Sequence, residues 1–561
     1  MKKMFWKPSI LILLAGCWFA AATLHIPFAA ADDARSVSVI LDKIPVQDSG
    51  RIKPFESFAR ENVLQVTGKS SYEHLPPSLL VWLWIANPDE WSNTPLLKIS
   101  YPVLQERFSS DLVKHRLAPG LVLADLDFGK EVRSIQEKNN REEKLTKLEQ
   151  EKLSLYHRAR LFQAISHGQF PGFMPHPDDP TLGWLPLEIF GMDNAQSFIG
   201  NLYPVDYFDS AKNAFFYMLG RLREGNMALA LSSTEAFAKE LKSLLASRDI
   251  VLDQSKINLE LQYLQLKPFR LASLFYFLGA LAFFFGPREK KKWASAAFTF
   301  FVTGFLLHTY GFALRVMIAG RPPVSNMYES VIWVAWGVVL FAGILWLVYR
   351  SPAIPAIASM VAALTLLIGE SLPAVLDPSI KPLVPVLRSN YWLTIHVLTI
   401  TLGYGAFLLN WGIAHALMYQ MSFGKKQKKS AEPLTEFLFR TLQIGIIFLS
   451  AGTILGGVWA AESWGRFWGW DPKETWALIA ILAYLAVLHA RSAGWLDTFG
   501  VAFYSALCFL TVIMAWYGVN FVLAAGLHSY GFGGGGFPYV SIVIAIDVLV
   551  INYFAWRFKN T

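Results

Sequence analysis

Nine apolar runs in the C-terminal part decide what this chain can fold into. They fall at roughly 268–287, 294–317, 327–349, 354–372, 392–421, 440–461, 472–491, 499–525 and 537–556. Each is long enough to cross about 30 Å of hydrocarbon, and in lipid a backbone has to satisfy its own hydrogen bonds, which a helix does within one segment. Of the 561 residues 54% are hydrophobic and only 16% charged, which excludes an ordinary soluble enzyme. The expected fold is an all-α polytopic membrane protein, a bundle of about nine transmembrane helices with an N-terminal signal or anchor and an extracytoplasmic domain.

Three regions follow along the chain. Residues 1–31 begin with Lys2, Lys3 and Lys7, continue into an apolar run and end on Ala29, Ala30 and Ala31, the pattern of a secretory signal or signal anchor. Leu14–Cys17 also fits a lipoprotein cleavage site, although the apolar run continues past Cys17. All three readings send the next segment outside. Residues 32–266 are soluble in character, with a charge-laced stretch near 131–163 expected as a solvated surface helix. Thr67–Ser70 is similar to the end of a phosphate loop, but its upstream glycine would fall at Val63, so that reading is rejected. His157, His167 and His176 lack tight metal-ligand spacing. This region reads as a platform or docking domain, and residues 267–561 as the multi-pass domain.

The net charge of +8 is concentrated in clusters between apolar runs, Arg288–Lys292 and Lys425–Lys429, with no basic-aromatic groove for nucleic acid. Threading the spans from an outside domain puts both clusters, Arg491, Arg557 and Lys559 inside. Four loops then share the outer face: 318–326, 373–391, 461–471 and 526–536. Only Cys17 and Cys508 are present, so a disulfide framework and a Cys-x-x-Cys pair are both excluded.

One of those loops is unusual. Trp459, Trp464, Trp468, Trp470 and Trp476 crowd into eighteen residues around Asp471, Pro472, Lys473 and Glu474. An isolated interfacial Trp belongs to an aromatic belt; five with a charged centre make a platform for a flat, amphiphilic ligand. Part of the polarity has a structural reading. Asp471 can cap the next helix, Pro472 suits its first position, and Glu474 completes a capping box. Asn326 and Glu329 repeat that pairing. Loop-end placement spares these groups most of the about 2.5–3.5 kcal/mol that a charge costs at mid-bilayer.

Histidine within membrane spans is functional by default. His396 starts one span and His528 follows another, so both flank the tryptophan loop. Two neutral imidazoles facing each other would ligate haem iron axially; two unrelated interfacial histidines are the alternative. His489 lies eighteen residues beyond Asp471, about 27 Å deeper at 1.5 Å per residue. His415 is similarly deep, and the two could form an inner pair. His308 and Arg315 share a helical face and could line a polar path, while Arg315 or Arg388 could bind an anionic group such as a propionate.

The stretch from Trp464 to Trp476 resembles the tryptophan-rich WWD signature of haem-handling membrane proteins. The segments Pro323–Ser330, Tyr391–His396 and Gly526–Tyr530 narrow the resemblance to the CcsA/ResC-type subunit of the System II cytochrome c synthase, over about 300–561. Residues 32–266 are similar to the extracytoplasmic extension of some members, with Gly50–Pro54 as a weaker cue. The resemblance implies location in the bacterial cytoplasmic membrane, with the WWD loop and the 32–266 domain periplasmic. It implies that reduced haem b is the substrate, with His396 and His528 as outer axial ligands and catalytic residues. It makes His489 an inner ligand, and Trp464, Trp468, Trp470, Asp471 and Trp476 the haem-binding platform. The implied reaction joins the haem vinyl groups to the thiols of an apocytochrome Cys-x-x-Cys-His. The implied partners are a ResB/CcsB-type membrane protein, apocytochrome c and thiol-reducing pathway proteins. A second inner ligand would come from that partner or from His415. A haem exporter that delivers without catalysing attachment is the alternative, and a solute transporter with an aromatic vestibule lacks the inverted repeats it would need.

Overall fold

The computed structural model describes residues 32–560 except 70, 142, 180–181, 193–194, 196–201, 287–290, 374, 384–388, 424–427 and 524–535. The N-terminal segment with Cys17, and His528 with its neighbours, lie outside the described residues. The chain divides into two compact units, one ending at Gln265 and the other running on from Leu266.

The first unit is mostly helical around a small antiparallel sheet. Strands β1 (Pro45–Asp48) and β2 (Arg51–Pro54) form a hairpin, joined by β3 (Gly172–Met174) and β4 (Leu185–Pro186) in the order β2-β1-β3-β4. Its turn puts Ser49 at φ 52° and Gly50 at φ 77°, the left-handed pair that a two-residue hairpin requires. Beneath the sheet, Trp82 packs against Phe55, Phe173, Phe215 and Phe237. Trp82 comes from the buried, mostly apolar helix Pro77–Ala86, at ten residues too short to span a bilayer.

Both cations of the Gly50–Pro54 segment are tied inside this unit. Lys53 is buried with Asp48 at 2.5 Å and Glu61 at 2.7 Å. Arg51 forks onto Glu260 at 2.6 and 2.7 Å, fastening the helix Gln254–Leu266 to the hairpin. The charge-laced stretch differs from expectation. It is two helices, Leu126–Asn140 and Lys147–Ser166, because Thr146 and Glu149 form a capping box that starts a new helix. The second buries Leu155, Ala159, Phe162 and Ile165, so it is a core element carrying a charged outer face.

The second unit holds nine helices apolar and long enough to span a membrane, among the described residues. They are α1 (Pro268–Phe285), α2 (Lys292–Ala319), α3 (Met327–Tyr349), α4 (Ala353–Ser371), α5 (Asn390–Phe423), α6 (Pro433–Trp464), α7 (Pro472–Ser492), α8 (Thr498–Leu523) and α9 (Phe537–Lys559). The chain is a multi-pass membrane protein. Contacts gather the expected loops at one end. Asn390 Nδ2 donates to Gly320 O at 3.4 Å, Arg321 to Lys381 O at 2.9 Å, and Trp392 Nε1 to Glu462 at 2.9 Å. A Cβ on Gly536 would lie 2.5 Å from Val375. At the opposite end Arg491 sits over Phe439, Arg557 over Phe423, and Phe499 stacks on Phe558. The lysine clusters lie largely outside the described residues.

In the first unit, burial and the neighbouring Glu56 push the Asp42 carboxyl up to about 7. The folded form therefore keeps a proton that an unfolded Asp, near about 3.9, releases. This group favours folding below pH ~4, and its contribution is lost as pH rises through about 7. Asp42→Asn is expected to stabilise the first unit by on the order of 2 kcal/mol at pH 8 and hardly at all at pH 4. Hydrogen exchange of the helix Asp32–Asp42 at the two pH values measures this. An equal effect at both would rule the protonated carboxyl out.

Candidate functional site

The site begins with a close helix pair. Glycines let α5 and α6 approach until backbone meets backbone: a Cβ on Gly403 would lie 2.8 Å from Leu449 N, and one on Gly452 2.6 Å from Ile400 Cα. One turn further along, a Cβ on Gly456 would lie 2.6 Å from His396 Cε1. The imidazole therefore sits in a notch that only glycine leaves. Its Nδ1 lies 2.8 Å from Gly452 O. A carbonyl can only accept, so Nδ1 donates, and in the neutral tautomer Nε2 carries the lone pair a metal would use.

Aromatic groups frame that imidazole. Trp459 meets it edge-on at 5.6 Å, and Trp392 lies parallel to Trp459 at 6.4 Å with its Nε1 held by Glu462. His396 belongs to a π-helical turn, Leu393–Val397, and Met514–Leu523 at the end of α8 is also π-helical. Such turns are rare and gather at functional sites. One carries His396 and the other closes α8, which His528 follows by five residues in the sequence. Helical periodicity cannot reveal a π turn, so sequence reasoning missed both.

The tryptophan loop leaves α6 at Trp464 and returns into α7. Phe467 folds back so that its ring occupies the space a side chain at Gly457 would need, one residue from the His396 notch. Trp468 and Trp470 meet edge to face at 5.8 Å, and Trp470 is exposed with φ +55°. That strained residue is held by its successors. Asp471 accepts from Lys473 N at 3.0 Å, while Glu474 Oε2 accepts from Gly469 N at 2.8 Å and Asp471 N at 3.1 Å. Asp471 and Glu474 thus form the expected capping box. Trp464 and Trp476, at the ends of the flanking helices, are half-buried. Lys473 reaches Asn520 in the π-helical segment at 3.3 Å, tying the loop to the end of α8.

A second motif carries structure. Glu329, fully buried, accepts from Arg315 at 2.7 Å, Arg321 at 3.2 Å, Ser325 N at 2.8 Å and Ser325 Oγ at 2.7 Å. Asn326 caps α3 by accepting from Glu329 N, but the Glu329 carboxylate turns to the arginines rather than back to Asn326 N. Beside it, Tyr328 donates to Glu370 at 2.6 Å and Trp516 to Ser330 at 2.9 Å. In the adjoining loop, burial works against the Asp377 carboxylate, but bonds from Lys381 and Ser379 hold it below its ordinary range.

Several expectations change at this point. Arg315, considered for an anionic ligand, is buried against Glu329 and Pro378 O, and Arg388 lies outside the described residues. His308 lines no polar path. It is fully buried, bonded by Tyr276 and by Ile332 O, and stacked on Phe312. His415 turns to Asp547 at 3.0 Å rather than standing open as an inner ligand. His489 is exposed on the last turn of α7, with Nδ1 2.7 Å from Leu485 O.

The family description "cytochrome C assembly protein" matches residues 324–528, the span that holds the buried Glu329 motif, His396 and the tryptophan loop. CcsA of Prochlorococcus marinus, a cytochrome c biogenesis protein, is 35% identical over 292 residues, covering 45% of this chain and 93% of its own length. NrfI of Wolinella succinogenes is 30% identical over 510 residues, covering 86% of this chain; the match spans only 53% of NrfI. The chain belongs to the CcsA family of System II-type cytochrome c biogenesis proteins.

Replacing Asp471 with Ala is expected to remove about 1 kcal/mol of helix-start stability and loosen the tryptophan loop. Hydrogen exchange should then speed up across residues 465–476 while α5 stays protected. Unchanged exchange there would mean that the cap does not hold the loop.

Proposed function

We propose that this protein binds reduced haem b at the tryptophan-loop end of the bundle and presents it for covalent attachment to apocytochrome c. The observation that carries the reading is the seating of His396. Its tautomer is set by Gly452 O, Trp459 borders it, and the tryptophan loop folds against the neighbouring residue of α6. Fixing the far nitrogen of an imidazole is how proteins aim histidine at a metal. His396 and His528 serve as axial ligands, and the indole faces of Trp464, Trp468, Trp470 and Trp476 support the macrocycle. Asp471 acts on the haem indirectly, by holding that loop.

The chemistry belongs to the haem vinyl groups. Each thiol of an apocytochrome Cys-x-x-Cys-His adds across one vinyl group: a C–S bond forms, the thiol proton goes to the other vinyl carbon, and no electrons are exchanged. The thiols have to arrive reduced, which the thiol-reducing pathway supplies. The protein thus acts as the haem-ligating subunit of a cytochrome c haem lyase. His489 is the inner ligand, about 27 Å from the loop. Asp547 beside His415 favours a ResB/CcsB-type partner as source of the second inner histidine. The loop end and the 32–266 domain face the periplasm from the bacterial inner membrane, and the domain docks apocytochrome or partner.

The reduced visible spectrum and haem content of the purified protein, with and without its partner, test this. His396→Ala and His528→Ala are each expected to lose low-spin haem, with recovery on adding imidazole. Gly456→Val, which displaces His396 without removing it, is expected to weaken haem retention about tenfold, or ~1.4 kcal/mol. Haem indifferent to both histidine substitutions would sink the ligand assignment. Normal haem with no holocytochrome, in a host lacking other maturation systems, would leave delivery without attachment.

A further inference from the structure

The π turn at the end of α8 is built around one side chain. In an α-helix the N–H of residue 520 would bond to the carbonyl of Trp516, whereas a π ladder pairs residues five apart. In Met514–Leu523 the Asn520 side chain returns to that carbonyl, with Nδ2 donating to Trp516 O at 3.4 Å. An amide has one donor side and one acceptor side. With Nδ2 spent on the carbonyl, Oδ1 is left to face α7 and accepts from Lys473 Nζ at 3.3 Å. Gly518 makes room within the turn, since Met514 Sδ fills the place a side chain there would take.

The residue whose carbonyl Asn520 holds has a partner of its own. Trp516 Nε1 donates to Ser330 Oγ at 2.9 Å, and its ring lies 5.8 Å from that of Tyr404 in α5. Ser330 Oγ in turn donates to Met327 O at 2.9 Å, so the hydroxyl serves as acceptor and donor at once. Ser330 adjoins Glu329, whose carboxylate is fixed by Arg315, Arg321 and Ser325. A line of hydrogen bonds therefore runs from the anchored first turn of α3, across the π turn of α8, to Lys473 in the first turn of α7.

Helix formation does not account for Lys473. Its charge stands at a helix N-terminus, where the dipole disfavours a cation. What the side chain supplies is a tie. The tryptophan loop is held twice, by Phe467 against Gly457 of α6 near its start and by Lys473 against Asn520 at its exit. We propose that Ser330, Trp516 and Asn520 are positioning residues, a relay through which α3 fixes where the tryptophan loop enters α7. The use of that fixing, a platform in one arrangement for a flat ligand, rests on the haem reading above; the relay itself does not.

Hydrogen exchange on the full chain in lipid nanodiscs tests the relay. Ser330→Ala removes the acceptor for Trp516. Trp516→Phe keeps a ring beside Tyr404 and leaves the Ser330 bond to Met327 O in place, so α3 retains its own first turn. Each is expected to speed exchange across residues 465–476 about tenfold, the effect of one lost hydrogen bond, while α5 stays protected. Lys473→Met is expected to do the same from the other end. Ser330→Ala combined with Lys473→Met is expected to exchange no faster than either single variant, because the line is already cut. Rates that multiply in the double variant, or a loop unchanged in both Ser330→Ala and Trp516→Phe, overturn the relay. In haem-loaded protein the single variants are expected to release haem about tenfold faster with the low-spin spectrum intact, since the axial ligands are untouched. A loosened loop with haem release unchanged overturns the relay's service to the platform. A wild type without haem overturns the haem reading and leaves exchange to decide the relay.

Discussion

The approach of α5 to α6 through glycines is the constraint on which the rest of the site depends. Gly452 and Gly456 lie on one face of α6, and each leaves a place for one specific group of α5, the backbone at Ile400 and the ring of His396. Gly445 does the same lower down, where Phe407 fills its space and stacks on Tyr484 of α7 at 3.7 Å. Packing of small residues is what lipid leaves as the main source of helix association. The same face that locks the two helices therefore also seats the imidazole, so the fold and the site have one origin. α6 then ends in the tryptophan loop, whose position follows from the helix that bears it.

Buried charge supplies a second level of order. Glu329 with Arg315 and Arg321 is expensive to desolvate, and it is tolerated because its carboxylate is also met by Ser325. Arg321 reaches Lys381 O, and Arg315 reaches Pro378 O. One carboxylate thus ties the start of α3, the end of α2 and the 372–389 loop together. A buried pair of this kind adds less to stability than to uniqueness of arrangement, a role suited to the loops at this end of the bundle. The Met327–Ser330 motif reads in this light as scaffold for the site.

The spans were legible because nine long apolar runs admit little else, and the capping box at Asp471 and Glu474 because its signature is local. The sharing of one end by the loops near 320, 380, 390, 462 and 536 followed from parity of crossing. What stayed hidden depended on partners far away in sequence. No spacing pairs His415 with Asp547 or Arg315 with Glu329, and a lone polar residue in a span looks equally available for a ligand or a neighbour. The π turns at Leu393–Val397 and Met514–Leu523 were hidden for another reason: they shift hydrogen-bond register without changing composition. The break at Thr146 was readable in principle, since Thr146 and Glu149 stand at capping-box spacing, but the run of charges around them suggested one continuous helix.

The histidines of the second unit sort themselves by what faces each nitrogen. His308 has both ring nitrogens engaged and no exposure, so it is a packing residue. His415 has the Trp411 carbonyl on one nitrogen and the Asp547 carboxylate 3.0 Å from the other, so it faces α9. His396 and His489 each place Nδ1 against a backbone carbonyl, which makes Nδ1 the donor in the neutral ring. One of these lies at the tryptophan-loop end and the other on the last turn of α7, near the opposite end. Depth and ring contacts together thus separate His396 and His489, the candidate ligands, from His308 and His415, which face neighbours within the bundle, a distinction that residue type alone could not make.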